Sequence, residues 1–246
     1  MKYNLQNESE DALIDYNGNC YLHYLGENIE DYNDFVELFQ DYKHKQHLNL
    51  KNDNEGNTPM HIASKLRGLE IIKYLINNGG KMDTKNAEGE SCYQHLAFNK
   101  NMDVIKYFIE EKKIDFYEKS KNGNTFIHLA FKNNENIEMI KYFVESKYDL
   151  MITNIYGSTP LLFSFFNENF EIVKFLVEDY GLDLNMKNSV GNEPIHVVAL
   201  INKNISILKY LIEEKKIDPF VLNDNKDNIL HLACEQNENF EIGIIF

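Results

Sequence analysis

The chain has 246 residues and a formal net charge of -14, long enough for one elongated domain or two compact ones with a sizeable core. Its cations are lysines apart from the single Arg67, which argues against the clustered Arg and Lys that displace counterions from DNA, RNA or an anionic membrane surface. Cys20, Cys92 and Cys234 are scattered and odd in number, unlike the dense even sets of secreted disulfide scaffolds, and fit a reducing compartment.

The opening segment MKYNLQNESED has no apolar signal-peptide core, and nowhere does an apolar run approach the roughly 18 residues of a membrane span. No membrane is therefore expected as a partner, and the expected location is cytoplasmic or nuclear. Residues 1–17 read as a tail. Residues 18–55 hold GNCYLH and then NDFVELF, a divergent first unit with a longer internal loop. Residues 56–225 contain five well-formed units. Each opens on a glycine phrase: GNTPMHIA at Gly56, GESCYQHL at Gly89, GNTFIHLA at Gly123, GSTPLLFS at Gly157 and GNEPIHVV at Gly191. Each continues with a second phrase at a nearly fixed offset: LEIIKYLI, MDVIKYFI, IEMIKYFV, FEIVKFLV and ISILKYLI. The stretch IEEKKID closes two units, beginning at Ile109 and at Ile212. Residues 226–246 restart the pattern with Lys226 in the glycine slot and form an incomplete terminal repeat.

Within a unit, glycine permits a positive φ at the turn, Thr58 is a suitable N-cap and Pro59 suits the first helical position. In the second phrase, Phe170, Ile172, Val173, Leu176 and Val177 follow the spacing of a one-faced helix. Segments such as KMDTKNAEGE supply the Asn, Asp and Gly of a reversing turn, and Gly79 ends a second helix in a left-handed cap. A helix pair this short cannot bury its apolar faces alone, so neighbouring pairs must stack. The pattern resembles the ankyrin repeat, whose period is about 33 residues and whose signature is T-P-L-H-x-A. The resemblance implies an all-α repeat solenoid of about seven stacked helix-turn-helix repeats joined by β-turn or hairpin-like loops. The enrichment in Asn, Lys, Ile, Tyr and Phe is the bias of an A/T-rich coding sequence.

The chemical alternatives are weaker. His23, His61, His128, His196 and His231 recur once per unit, but a zinc site needs three or four ligands converging at about 2.0 to 2.3 Å. The resemblance implies instead a histidine bonded to its turn and to the next unit, a slot held by Gln94 and Leu162 elsewhere. His44 and His47 are expected on a solvated surface, and the three cysteines as small, partly buried space-fillers. A Cys-His nucleophile stands as the minor alternative. NNGGKMD lacks the first glycine and the Ser or Thr of a phosphate loop, and KNDNEGN lacks the carboxylates of a calcium loop. No catalytic, cofactor-binding or metal-binding residue is assigned, and the chain is not expected to be an enzyme.

The resemblance implies noncovalent recognition of a partner protein, through turn tips and the exposed side of the first helices. The tips are the two residues before each glycine: Asn54 and Glu55, Ala87 and Glu88, Lys121 and Asn122, Ile155 and Tyr156, Ser189 and Val190. The helix positions lie nine and ten residues after it: Lys65 and Leu66, Phe98 and Asn99, Lys132 and Asn133, Phe166 and Asn167, Leu200 and Ile201. Polar early units give way to an apolar set, Ile155, Tyr156, Phe166, Val190, Leu200 and Ile201, the pattern of a binding hot spot. A shift of register would instead turn Phe166 or Ile201 inward. A scaffold or adaptor acting as a monomer on a basic or mixed protein surface is the expectation; the alternative is the substrate-targeting arm of a larger enzyme such as a ubiquitin ligase or kinase. The phrase NENFEI occurs at Asn167 and again at Asn237, where it runs into GIIF. The apolar ending, without the polar outer face of a terminal repeat, predicts truncation there or contact with something else.

Overall fold

The computed structural model describes residues 14–41, 45–146, 148–201 and 204–236. The chain divides into two compact units, Met1–Lys121 and Asn122–Phe246. In the first, α1 (Tyr21–Asn28), α3 (Pro59–Leu66) and α5 (Cys92–His95) are first helices of their repeats, followed by second helices α2 (Tyr32–Asp41), α4 (Leu69–Asn77) and α6 (Met102–Lys106). In the second, α7 (Phe126–Asn133), α9 (Pro160–Phe163), α11 (Pro194–Ile201) and α13 (Ile229–Gln236) are first helices, and α8 (Ile137–Glu145), α10 (Phe170–Glu178) and α12 (Ile205–Lys209) are second helices. Within each unit first helices pack on first helices and second on second, making two layers. The fold is an all-α repeat stack. Between the helices the described residues hold only isolated antiparallel bridges, Ile14 with Cys20 and Lys85 with Ser91.

The IKY phrase explains the second-helix layer. Its apolar pairs, Ile71 and Ile72 in the first unit and Ile172 and Val173 in the second, are buried. The following lysine turns outward onto the aromatic ring of the next repeat. Lys73 Nζ stands 4.2 Å from the Tyr107 ring centre, and Lys141 Nζ 5.7 Å from that of Phe175. Such cation–π contacts are worth about 0.5–1 kcal/mol at exposed sites, so they trim the seam that burial makes.

Asparagine begins these second helices. Asn101, Asn136, Asn169 and Asn204 each accept the N–H two residues on, satisfying a helix-end donor. Two residues earlier, Asn99 donates from Nδ2 to the carbonyls of Ser64 and Arg67, and Asn167 does the same to Phe131 and Asn134. Each reaches back to the C-terminal carbonyls of the preceding first helix. The asparagines of NENFEI are therefore joints, and the abundance of Asn has a structural use beyond coding bias. Arg67 plays the same part, with Nε, Nη1 and Nη2 bound to the carbonyls of Gly26, Ile29 and Glu27.

Two sequence expectations are revised. The divergent first repeat has no long loop between its helices, because α1 ends at Asn28 and α2 begins at Tyr32. Its extra length follows α2, where a 3-10 turn spans Lys45–Asn49. The second helices are also not uniform. After α6 and α12 the backbone widens into π-helical turns, Tyr107–Glu111 and Tyr210–Glu214. Both run into the duplicated IEEKKID, and two residues beyond each stands a lysine with positive φ, Lys113 at 50° and Lys216 at 58°. In YGLDL the same position is Gly181, φ 78°. Gly79 ends α4 with φ 97° as expected. The second NENFEI and the apolar ending lie outside the described residues, as does His44.

The repeated histidine links neighbouring repeats. His61 Nδ1 accepts the Thr58 N–H at 3.0 Å and lies 2.8 Å from the Thr58 hydroxyl. Nε2 must then carry the proton, and it donates to the Glu90 carbonyl at 3.2 Å. His23, His128 and His196 reach Asn57, Ser158 and Val221 in the same way, and Gln94 bonds both Ser91 and Glu118. Burial, then the neighbouring His95, pushes His61 down to about 4. Burial also lowers His23 and His196.

Two predictions follow from these joints. Because the unfolded histidines protonate near pH 6.5, their contribution is complete above that value. It falls as the pH drops below that value, for His61 down to about 4, at up to about 1.4 kcal/mol per pH unit for each histidine. His61→Gln, copying Gln94, should leave the urea midpoint near neutral pH little changed and flatten the decline between about pH 6.5 and pH 5; an unaltered slope would refute the assignment. Lys113→Gly and Lys216→Gly should each stabilise by about 1 kcal/mol, since a side chain in the left-handed region costs about 1–2 kcal/mol. Equilibrium unfolding measures the gain, and a loss would show that the lysine side chains hold these turns.

Candidate functional site

Four of the repeat histidines and two of the three cysteines are buried within the repeats. Cys20 Sγ is 3.2 Å from His23 Nδ1, the one Cys-His contact of note. That ring nitrogen, however, accepts the Cys20 N–H. Burial raises the thiol and lowers the imidazole, so both groups are biased towards their neutral forms. Cys92 is buried and pushed up by that burial to about 12. Cys234 departs from expectation, being exposed rather than partly buried. His47 is half-buried. His95 Nε2 lies 3.3 Å from Glu90 while Nδ1 is buried without a partner. Among the described residues no group of three or more His, Cys, Asp or Glu could hold a metal ion.

The turn tips project from the joints. Each tip backbone is fastened to the next within its unit: Ala87 N donates to Glu55 O, Lys121 N to Glu88 O, Ile155 N to Asn122 O, and Ser189 N to Tyr156 O. At the base of most of these turns an asparagine accepts two of the turn's N–H groups, as Asn154 does from Tyr156 and Ser158. The same side chain crosses to the preceding repeat, with Asn86 donating to Asn57, Asn154 to Asn124 and Asn223 to Asn192. The backbone is held by these bonds while the tip side chains stand clear.

The apolar tips are exposed: Ile155 by 62%, Tyr156 by 54% and Val190 by 39%. The tips Asn54, Glu55, Ala87 and Glu88 of the first unit are exposed and mostly polar. The helix positions behave differently. Phe166 and Leu200 are half-buried. Phe166 packs edge-on against Phe163, ring centres 5.4 Å apart, beneath Lys132 Nζ at 5.4 Å. The Ile201 side chain lies outside the described residues. Asn99 and Asn167, expected on the same surface, are buried in the joints described above. The Asn-x-Asn spacing that recurs before α6, α8, α10 and α12 was the signal for that role.

Sequence reasoning passed over Met151, Phe220 and Leu222, all strongly exposed. They lie on the strand-like approach to the tips, where sister repeats carry polar residues such as Asp83, Asn185, Lys85 and Lys187. An apolar residue in a slot that is otherwise polar was the available cue.

The family described as "Ankyrin repeats (3 copies)" matches residues 22–120 and 94–188, more than half of the chain. Among curated proteins, the chain is 25% identical over 207 residues to the transient receptor potential cation channel subfamily A member 1 of Homo sapiens, covering 79% of this chain and 18% of the channel subunit. It is 22% identical over 190 residues to the NAD-dependent deacetylase sir2B of Dictyostelium discoideum, covering 70% of this chain and 23% of that protein. It is 26% identical over 141 residues to a probable 26S proteasome regulatory subunit p28 of Saccharomyces cerevisiae, covering 56% of this chain and 61% of that one. The chain thus spans about a fifth of the first two relatives and less than two thirds of the third. Ankyrin repeats are protein–protein interaction modules, and no helix among the described residues is long and apolar enough to cross a membrane. With the glycine phrases, the stacked helix pairs and the matched residues in agreement, the chain belongs to the ankyrin-repeat family.

Proposed function

We propose that the chain is a noncovalent scaffold or adaptor that captures a partner protein on its turn tips and the exposed side of its first helices, without catalysis of its own. The observation that carries this reading is the exposure of Ile155, Tyr156 and Val190 on tips whose backbones are hydrogen-bonded in place. Apolar side chains held on a pre-formed backbone lose little freedom on binding, so more of their burial appears as affinity. Half-exposed Phe166 and Leu200 would extend the contact down the helices. The net charge of -14 favours a partner with a basic or mixed surface and faster association at low salt. A monomer in the cytoplasm or nucleus fits this reading.

The second reading is a substrate-targeting arm of a larger enzyme. The observation favouring it is that the matching segment occupies only 23% of a relative named as a deacetylase. An in-frame catalytic domain in the full-length transcript distinguishes the two.

Affinity purification with mass spectrometry, run in parallel on the wild type and on an Ile155→Ser, Tyr156→Ala, Val190→Ser variant, tests the proposal. The expected outcome is a specific protein whose affinity falls by about a hundredfold in the variant, with helical content unchanged. Undiminished capture by the variant would overturn the assigned face; a loss of helical content would show these residues to be core.

A further inference from the structure

The Gly89 repeat departs from its sisters at two positions, and the structure brings the two together. Glu90 follows the tip glycine where the other glycine-led repeats carry Asn19, Asn57, Asn124, Ser158 and Asn192. His95, six residues after the glycine, stands where they carry Tyr24, Ile62, Leu129, Phe163 and Val197. His95 Nε2 lies 3.3 Å from Glu90 Oε2, with the two side chains only 8% and 15% exposed. The His95 ring also meets His61 of the preceding repeat edge-on, ring centres 4.8 Å apart. In the Gly157 repeat the same slot holds a ring that cannot titrate, Phe163, at 5.3 Å from His128.

The hydrogen bonds decide which ring of this pair can accept a proton. His61 has both nitrogens engaged: Nδ1 receives the Thr58 N–H and Nε2 donates to the Glu90 carbonyl. A proton added at Nδ1 would face that N–H, donor against donor. His95 is arranged otherwise. Asn86 Nδ2 lies 3.2 Å from its Nε2, but the two amide hydrogens have Asn57 Oδ1 at 3.0 Å and Glu90 Oε2 at 3.5 Å as acceptors. The His95 Nε2–H therefore donates to the Glu90 carboxylate, which leaves Nδ1 as a buried lone pair without a partner. No donor opposes a proton there, and the carboxylate at the other nitrogen balances the charge. Burial works to raise the Glu90 carboxyl, but the bond and charge of His95 outweigh it and hold the carboxyl below its ordinary range. Two cations stand nearby. Lys51 opposes positive charge on His61, and Lys65 Nζ is 4.9 Å from the ring centre of Phe98, which packs against His95 at 5.7 Å. Against them stands the Glu90 carboxylate.

We infer that Glu90 and His95 are a pH-responsive clamp on the Gly89 turn, in which His95 takes the one proton that the His61–His95 pair accepts on mild acidification. Uncharged, His95 holds Glu90 by a hydrogen bond; charged, it holds it by a buried ion pair. Glu90 also carries the carbonyl to which His61 is bonded and the N–H that Asn86 accepts. The change is therefore felt in the turn that bears the tip residues Ala87 and Glu88. It also keeps His61 neutral, since a second positive charge on the adjoining ring is repelled.

NMR of the imidazole nitrogens and backbone amides of the whole chain, titrated from about pH 8 to about pH 5 across the ordinary range of histidine, tests the inference, with each ring assigned through its own backbone. His95 is expected as the Nε2–H tautomer at the alkaline end and as the doubly protonated ring at the acidic end, with His61 still neutral. The amides of Ala87, Glu88 and Glu90 should follow the His95 midpoint, and those of Ile155 and Tyr156 on the Gly157 turn should not. Glu90→Gln should lower the midpoint by about one pH unit. Glu90→Asn with His95→Phe, which copies Asn57 and Phe163, should abolish the response of the Gly89 turn. Protonation of His61 before His95, an Nδ1–H tautomer of His95, turn amides that do not move, or a midpoint indifferent to Glu90→Gln would each overturn the inference. The wild-type titration alone decides the first three, whatever the stability of the variants.

Discussion

The structure depends on one close approach of backbone to backbone at the turn tips. Gly157 adopts φ 69°, and a Cβ there would stand 2.7 Å from the amide nitrogen of Ser189 in the next repeat. That nitrogen donates to the Tyr156 carbonyl at 2.9 Å. Gly56 stands in the same relation to Ala87, whose nitrogen would be 2.8 Å from a Cβ. Two conditions coincide at such a residue, a left-handed backbone and no room for a side chain, and glycine meets both. Lys226 meets the first alone, with φ 69°.

Around that contact the polar side chains complete the joints between repeats. The histidine or glutamine of one first helix reaches the turn of the next repeat. An asparagine at the turn base reaches the turn before it, and Asn99, Asn167 or Arg67 reaches the preceding helix end. Among the described residues nearly every buried polar side chain has a partner inside the fold, in line with the cost of leaving one unpaired. The same arrangement buries His23, His61, His128 and His196 together with Cys20 and Cys92. The tip side chains Ile155, Tyr156 and Val190 of the second unit are left exposed.

Much of this was legible in the sequence. The glycine phrase announced the tip, Thr58-Pro59 the start of α3, and the spacing from Phe170 to Val177 the face of α10. The tip residues Ile155, Tyr156 and Val190 could be picked out because tips follow directly from the glycine position. The helix positions were less legible, since the first helices of the Gly89 and Gly157 repeats tighten into 3-10 turns at Leu96–Phe98 and Ser164–Phe166. That tightening draws the tenth residue after glycine inward, which is why Asn99 and Asn167 became joints. The π-turns of IEEKKID were hidden for a different reason: a lysine at positive φ carries no local signal, and only comparison with Gly181 reveals the slot. Arg67 stood out in the sequence only as the single arginine, whereas its five donors in a planar fork suit a cluster of helix-end carbonyls.

If tip-to-tip contact is the constraint on which the stack rests, a single methyl group there should be felt throughout the unit. Equilibrium urea unfolding of Gly157→Ala is the most direct measurement. The account predicts a loss of about 2 kcal/mol or more, from a left-handed alanine and the displaced Ser189 amide together. A loss below about 0.5 kcal/mol, the level of an ordinary surface substitution, would contradict it.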